Sequence, residues 1–176
     1  MAKGILAKLR AAVRDVPDFP KKGIVFKDIT PVLSDPVLFR ASIDLFLECC
    51  RGRNIDKIVG IDARGFVFGS AVAYELGVGF VPIRKRGKLP YQTEVAKYSL
   101  EYGEAEMEMH VDAIIAGDRV VLLDDLLATG GTSAAAAVLI RKAGGDLLEA
   151  QFLIELESLH GRHQLEPTSV TSFLKY

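Results

Sequence analysis

The residues best suited to chemistry lie together in Val120-Val121-Leu122-Leu123-Asp124-Asp125-Leu126-Leu127-Ala128-Thr129-Gly130-Gly131-Thr132. Four apolar residues run straight into two adjacent carboxylates, two glycines between two threonines follow, and the Ala-rich Ser133–Lys142 then reads as a helix. The pattern predicts a buried strand, a loop of small residues and a helix start. Such a loop leaves backbone N–H groups unpaired at the positive end of a helix, where an anion can sit. The carboxylates are expected at the C-terminal edge of the strand, where open α/β sheets bind ligands. Backbone N–H groups and threonine hydroxyls suit a phosphomonoester. Paired carboxylates suit a vicinal diol, such as the hydroxyls of ribose, or a divalent metal. Two like charges side by side after a buried strand are costly unless something pairs with them. The stretch is not a Walker P-loop, because G-x-x-x-x-G-K-[ST] is absent, and it is not a G-x-G-x-x-G dinucleotide fingerprint.

Other polar groups say less by themselves. Asp62-Ala63-Arg64-Gly65 is a tight turn whose bland reading is a surface Arg. The basic run Arg84-Lys85-Arg86-Gly87-Lys88 is, taken alone, more often a solvated face. His160 and His163 are joined by no Cys or second acidic cluster, which favours a structural role over metal binding. Cys49 and Cys50 are adjacent in a helical stretch and point to different faces, so helix packing and a reducing compartment are expected rather than a disulfide framework.

The elements that must position these residues follow in order. Residues 3–15 read as an amphipathic helix, with Ile5, Leu6, Leu9, Ala12 and Val13 on one face, ended by Pro17 and Pro20. Gly23–Pro31 is apolar but bounded by Gly and Pro, a short strand or a covering loop. Asp35 is a good N-cap and Pro36 fits the first helical position; Leu38, Ala41, Leu45 and Cys49 form the expected stripe, widened by Phe39 and Phe46. Lys57–Ile61 reads as a strand, Phe66–Leu76 as a helix closed by Gly77, and Val78–Ile83 as the next strand. Arg84–Lys97 has no periodicity and reads as a mobile basic loop, followed by a hairpin with arms Ala96–Leu100 and Glu104–Val111. Leu147–Leu156 and Val170–Leu174 are the last expected strands. Alternating β and α segments predict a central, mostly parallel sheet flanked by helices, an α/β fold.

The 176 residues suit one domain, 49% hydrophobic and 26% charged, as is ordinary for a globular chain. The net charge of -1 gives no basic surplus for polymeric nucleic acid, and no apolar run approaches the ~20 residues that span a membrane. No signal peptide is expected, so the default location is cytoplasmic.

Leu122–Thr132 resembles the phosphoribosyl pyrophosphate (PRPP) motif of type I phosphoribosyltransferases. Pro17–Pro20, Gly23–Pro31, Asp62–Phe66, Arg84–Pro90 and Tyr98–Gly103 resemble, in that order and at family-like spacing, segments of the adenine-specific branch of that family. The resemblance covers nearly the whole chain. It implies an enzyme of purine salvage that transfers the 5-phosphoribosyl group from PRPP to N9 of adenine, giving AMP and pyrophosphate. Magnesium would be carried on PRPP or pyrophosphate rather than held directly by protein side chains, and a homodimer is expected. A small N-terminal hood (residues 1–34) and a flexible catalytic hairpin, within 84–111, are implied additions to the single domain.

Residue by residue, the resemblance implies the following. Asp124 and Asp125 hold the ribose hydroxyls, and Ala128, Thr129, Gly130, Gly131 and Thr132 cradle the 5′-phosphate. Ala63 and Arg64, in a loop with a non-proline cis peptide at Asp62–Ala63, hold pyrophosphate together with Arg84 and Lys88. Ala63 stands where many members have Ser, so any hydroxyl contact there is missing. Phe26 stacks on adenine, while backbone groups of Val25 and Lys27 read its Watson–Crick edge. Lys27 stands where Arg is common, an exchange a main-chain contact survives. Leu159 forms the opposite wall of the base pocket. Glu101 lies near N7 of the purine and Tyr102 near the leaving pyrophosphate, both on the closing hairpin.

Two alternatives stay open. A phosphoribosyltransferase for hypoxanthine or guanine needs a donor to the 6-oxo group, and the hood segment argues against it. A PRPP-sensing regulator tends to add a DNA-binding domain, which 176 residues at net charge -1 are not expected to contain.

Overall fold

The computed structural model describes residues 2–99 and 104–176. The chain forms two compact units that meet in sequence at Glu48 and Cys49. The expected catalytic residues Glu101 and Tyr102 lie outside the described residues.

The first unit begins with α1 (Ala2–Ala12), shorter than the expected helix because β1 (Arg14–Pro17) follows at once. β1 pairs antiparallel with β2 (Val25–Asp28), with Val16 opposite Phe26 and Asp15 opposite Lys27. Lys27 Nζ reaches Asp15 Oδ1 at 2.6 Å across the ladder. The rings of Phe19 and Phe26 meet edge to face at 5.2 Å. The stretch 23–31 is thus a strand running into the short α2 (Thr30–Ser34), with Pro31 in its first turn. α3 (Pro36–Cys50) starts where the sequence predicts: Asp35 Oδ1 accepts the N–H groups of Val37 and Leu38 at 2.8 and 3.0 Å. Its most buried line is Ile43, Phe46 and Cys50, one residue round the helix from the expected Leu38-Ala41-Leu45-Cys49 stripe.

The second unit is built on β3 (Lys57–Ile61), α4 (Arg64–Leu76), β4 (Gly79–Lys85), β5 (Thr93–Ser99), β6 (Glu104–His110), β7 (Arg119–Leu127), α5 (Gly131–Lys142), β8 (Asp146–Glu155) and β9 (Val170–Lys175). These strands form one sheet in the order β5-β6-β4-β3-β7-β8-β9. The pairs β4–β3, β3–β7, β7–β8 and β8–β9 are parallel, while β6 is antiparallel to both β4 and β5. The mostly parallel sheet flanked by helices is therefore as predicted.

Alternation along β7 divides the core between two faces. Val120 and Leu122 join Val59, Ile61, Ile83, Met107, Met109 and the small inner side of α5, Ala135 to Ile140, in one buried cluster. Val121 and Leu123 point the other way and are equally buried, on the side where α4 contributes Phe68 and Val72. The alanines of α5 let that helix lie close to the sheet, which draws its N-terminus to the end of β7.

Three boundaries differ from expectation, each for a ladder reason. β7 continues past its apolar run through Asp124 to Leu127, because β8 runs parallel beside it as far as Glu155. β4 continues through Arg84 and Lys85, which pair with Glu108 and Met107. β5 already begins at Thr93, opposite His110, so the segment between strands shrinks to 86–92. Among the described residues no helix is long and apolar enough to cross a membrane.

Gly65 marks where α4 comes closest to β7. A Cβ on it would stand 2.8 Å from Asp124 Oδ1 and 2.9 Å from the Leu123 carbonyl oxygen. Gly65→Ala is expected to destabilise the protein by about 1–3 kcal/mol, the usual cost of overpacking, read as a fall in the denaturation midpoint. An unchanged midpoint would mean that the helix can back away freely.

Candidate functional site

A cavity of about 330 Å³ opens at the C-terminal ends of β3 and β7. Three segments supply most of its lining: Ile61–Arg64, Asp124–Leu126 and Ala128–Ser133, with Lys85, Tyr98 and Met107 completing it. Of the residues singled out in the sequence, Ala63, Arg64, Asp124, Asp125, Ala128, Thr129, Gly130, Gly131 and Thr132 all line this one space.

Two helix starts face it. α4 begins at Arg64, directly after a cis peptide between Asp62 and Ala63. α5 begins at Gly131, with Gly130 before it at φ +85°, a left-handed conformation that favours glycine. The first N–H groups of any helix lack partners within it, and these two sets open on the same cavity.

The acidic pair sits between them. Asp125 is 3% exposed and Asp124 is half-buried. Asp124 Oδ1 accepts the N–H of Asp125 at 2.9 Å. Arg64 Nε stands 3.0 Å from Asp125 Oδ2 as a charge contact, but no described residue donates an aligned hydrogen bond to that oxygen. Burial pushes the Asp124 carboxyl well above the usual aspartate range, and the neighbouring Asp125 charge pushes it further. Burial also raises Asp125, against the opposing pull of Arg64.

The expected leaving-group residues Arg84 and Lys88 stand one layer out. Arg84 Nε donates to Asp62 Oδ2 at 2.9 Å, and Arg84 Nη1 donates to the Lys88 carbonyl at 3.0 Å. The N–H groups of Lys88 and Leu89 donate to Glu108 Oε1 at 2.8 and 2.7 Å. Burial alone would raise the Glu108 carboxyl, but the N–H groups of Leu89, Gly87 and Lys88 outweigh it and hold the group below its usual range. Glu108 showed in the sequence only as one of three alternating glutamates on a hairpin arm. Its burial could not be foreseen without the β4–β6 pairing. Asp62, Lys85 and Tyr98 stand in the expected segments and line the cavity, though the sequence gives them no role of their own.

Leu159 is 45% exposed, in a 3₁₀ turn at Glu157–Leu159, and lies outside this lining. The His160 and His163 rings stack at 5.8 Å, and no cluster of three or more His, Cys, Asp or Glu among the described residues is placed to hold a metal. Val25, Phe26 and Lys27 belong to β2 in the first unit. A two-stranded ribbon leaves one edge of β2 without a strand neighbour, and residues 25 and 27, two apart, direct their backbone groups to the same side.

Comparison with known proteins agrees with this geometry. The family model described as "Phosphoribosyl transferase domain" matches residues 30–170. A curated relative from Anaeromyxobacter dehalogenans, named adenine phosphoribosyltransferase, is 55% identical over 96% of this chain and 98% of its own. A crystal structure of adenine phosphoribosyltransferase from Thermoanaerobacter pseudethanolicus superposes with a TM-score of 0.95 at 50% identity, covering 97% of this chain and 99% of that one. A Trypanosoma brucei adenine phosphoribosyl transferase, solved with AMP, pyrophosphate and ribose-5-phosphate, gives 0.89 at 28% identity over 97% of this chain and 79% of its own.

The raised Asp124 carboxyl carries a sign. Folding favours its protonated form, so the stabilising contribution is complete below the ordinary aspartate range and is lost as pH climbs through the raised value. Asp124→Asn keeps an oxygen for the Asp125 N–H and removes the buried charge. It is expected to raise the melting temperature of the ligand-free protein at neutral pH, with the gain vanishing in acid. A drop at neutral pH that vanishes in acid would show instead that the charge supports the fold.

Proposed function

This chain belongs to the phosphoribosyl transferase family, and we propose that it transfers the 5-phosphoribosyl group of PRPP to N9 of adenine, releasing pyrophosphate and AMP. The observation that carries this reading is the cavity in which a buried acidic pair stands between two helix starts. One start faces each end of a substrate with phosphate at both ends.

In this reading the N–H groups of Ala128 to Thr132, with the threonine hydroxyls, hold the 5′-phosphate, and the positive end of α5 adds a favourable ~0.3–1 kcal/mol. Asp124 and Asp125 accept hydrogen bonds from the ribose 2′- and 3′-hydroxyls. Asp125 Oδ2, buried and without an aligned donor among the described residues, suits one of them. Ala63, through its backbone, and Arg64 hold the pyrophosphate at the start of α4. Arg84 and Lys88 serve the same group, Arg84 also by fixing Asp62. A guanidinium matches phosphate oxygens in pairs.

Adenine is assigned to β2 and to Leu159. The Phe26 ring would stack on the base, worth ~1–3 kcal/mol, and the backbone of Val25 and Lys27 would read its Watson–Crick edge. N9 attacks C1′, the bond from C1′ to the pyrophosphate oxygen breaks with its electron pair leaving on pyrophosphate, and C1′ inverts through an oxocarbenium-like state. Glu101 would exchange the purine proton at N7, and Tyr102 would meet the leaving group. Cations near the departing oxygen stabilise charge that grows during bond breaking.

Magnesium is assigned to the substrate. Such ions keep water and phosphate ligands and draw few from protein. The cavity suits a magnesium diphosphate of reduced charge, since its lining carries Arg64 and Lys85 beside Asp62, Asp124 and Asp125. Bound there, the ion would neutralise part of the charge on the leaving group. The family resemblance supports a homodimer working in the cytoplasm, where Cys49 and Cys50, not joined in a disulfide, would be at home.

Purified protein is expected to convert adenine, PRPP and magnesium to AMP and pyrophosphate, followed by chromatography, and to leave hypoxanthine and guanine nearly untouched. Turnover of hypoxanthine would replace the base assignment. Tight PRPP binding without turnover of any base would favour a regulator.

A further inference from the structure

A second ion pair, its carboxylate buried, stands beside the loop assigned to the 5′-phosphate, outside the cavity lining. Glu155, the last residue of β8, is 2% exposed and lies level with Leu127, the last residue of β7. The chain then makes two 3₁₀ turns, Glu157–Leu159 and Gly161–Leu165, joined by His160 at φ +52°. Arg162 comes back to grip Glu155 with both prongs of its fork, Nε to Oε1 at 2.8 Å and Nη2 to Oε2 at 2.6 Å. Ser172 Oγ, on β9, donates to the same Oε2. These bonds hold the Glu155 carboxyl below its usual range, first through Arg162.

The grip brings Gly161 against the loop more closely than any side chain would allow. A Cβ on Gly161 would stand 2.1 Å from the Ala128 carbonyl oxygen and 2.9 Å from the Gly130 nitrogen. A Cβ on Gly130 would stand 2.2 Å from the Gly161 carbonyl oxygen. Two backbones therefore touch face to face with a glycine on each side. The loop Ala128–Gly131 has only small side chains with which to brace itself, so this turn is its support away from the ligand.

We propose that Arg162 and Glu155 are positioning residues for the 5′-phosphate loop: their ion pair seats Gly161 against Ala128–Gly130 and so fixes the N–H groups that receive the phosphate. The proposal rests on the phosphoribosyl reading of the cavity. The pair touches no substrate. It acts through Gly161, which the bidentate fork aims as a point charge would not.

The test compares two ligands on the same protein by calorimetry, ribose 5-phosphate for the supported loop and pyrophosphate for the Ala63–Arg64 turn. Glu155→Gln and Arg162→Met are expected to weaken ribose 5-phosphate by about ten- to a hundredfold, the scale of a displacement of about 1 Å in a positioned group. Both should raise KM for PRPP while pyrophosphate affinity stays at the wild-type value. Gly161→Ala removes no charge and should give the same selective loss. Arg162→Lys, which disturbs folding least, should fall between wild type and Arg162→Met, and it keeps the proposal open to refutation if the harsher variants do not fold. Equal weakening of both ligands in Arg162→Lys, or no change in either, overturns the positioning role. Wild-type protein that binds no ribose 5-phosphate overturns the phosphoribosyl reading and this proposal with it.

Discussion

Two carboxylates at the end of a largely buried strand form the constraint that the rest of the second unit answers. The β7–β8 ladder fixes the backbone past both of them, with Asp125 buried and Asp124 half-buried. Compensation therefore comes to them. Arg64, the first residue of α4, approaches Asp125, and α4 can come that close because Gly65 has no side chain to strike Leu123 and Asp124. The alternation then runs outward: Arg64 follows the Asp62–Ala63 cis peptide, Asp62 is held by Arg84, and Arg84 holds the Lys88 carbonyl. The Lys88 and Leu89 N–H groups end on the buried Glu108. Ion pairs and hydrogen bonds, joined between Arg64 and Asp62 by the backbone itself, thus link the acidic pair to the hairpin.

Much of this was legible in the sequence because it is local. A run such as Val120–Thr132 carries its own strand, loop and helix start, and Asp35-Pro36 declares a helix by its capping chemistry alone. What escaped depends on partners distant in sequence. β7 passes its apolar residues and β4 takes in Arg84 and Lys85 because another strand lies alongside, and a charged residue in a ladder has no periodic signature. The α3 stripe was misplaced by one residue because several apolar side chains on that helix permit more than one face. Glu108 and Glu155 carry no sign in the sequence of the partners they meet. Both are buried, and donors from other segments of the chain converge on each carboxylate. The base assignment remains a matter of resemblance: a stacking ring and two backbone groups on an edge strand look like any short strand.

The same two carboxylates set a problem for the substrate. PRPP is a polyanion, yet the cavity lining holds three carboxylates, Asp62, Asp124 and Asp125, against two cations, Arg64 and Lys85. Arg64 is already engaged with Asp125, as Arg84 just outside is with Asp62. Side-chain charge therefore cannot supply most of the attraction. On the proposed assignment it would come from groups that carry no formal charge, the N–H groups at the starts of α4 and α5, and from positive charge that arrives with the substrate. This accounts for a loop made of Ala, Thr and Gly, since every larger side chain would screen an N–H. It also accounts for tolerating an acidic pair in a phosphate site. On the proposed assignment, the anions would be held by backbone dipoles at both ends and the carboxylates left to the neutral hydroxyls between them. The ribose would then donate there the hydrogen bonds that Asp125 Oδ2 lacks within the described protein.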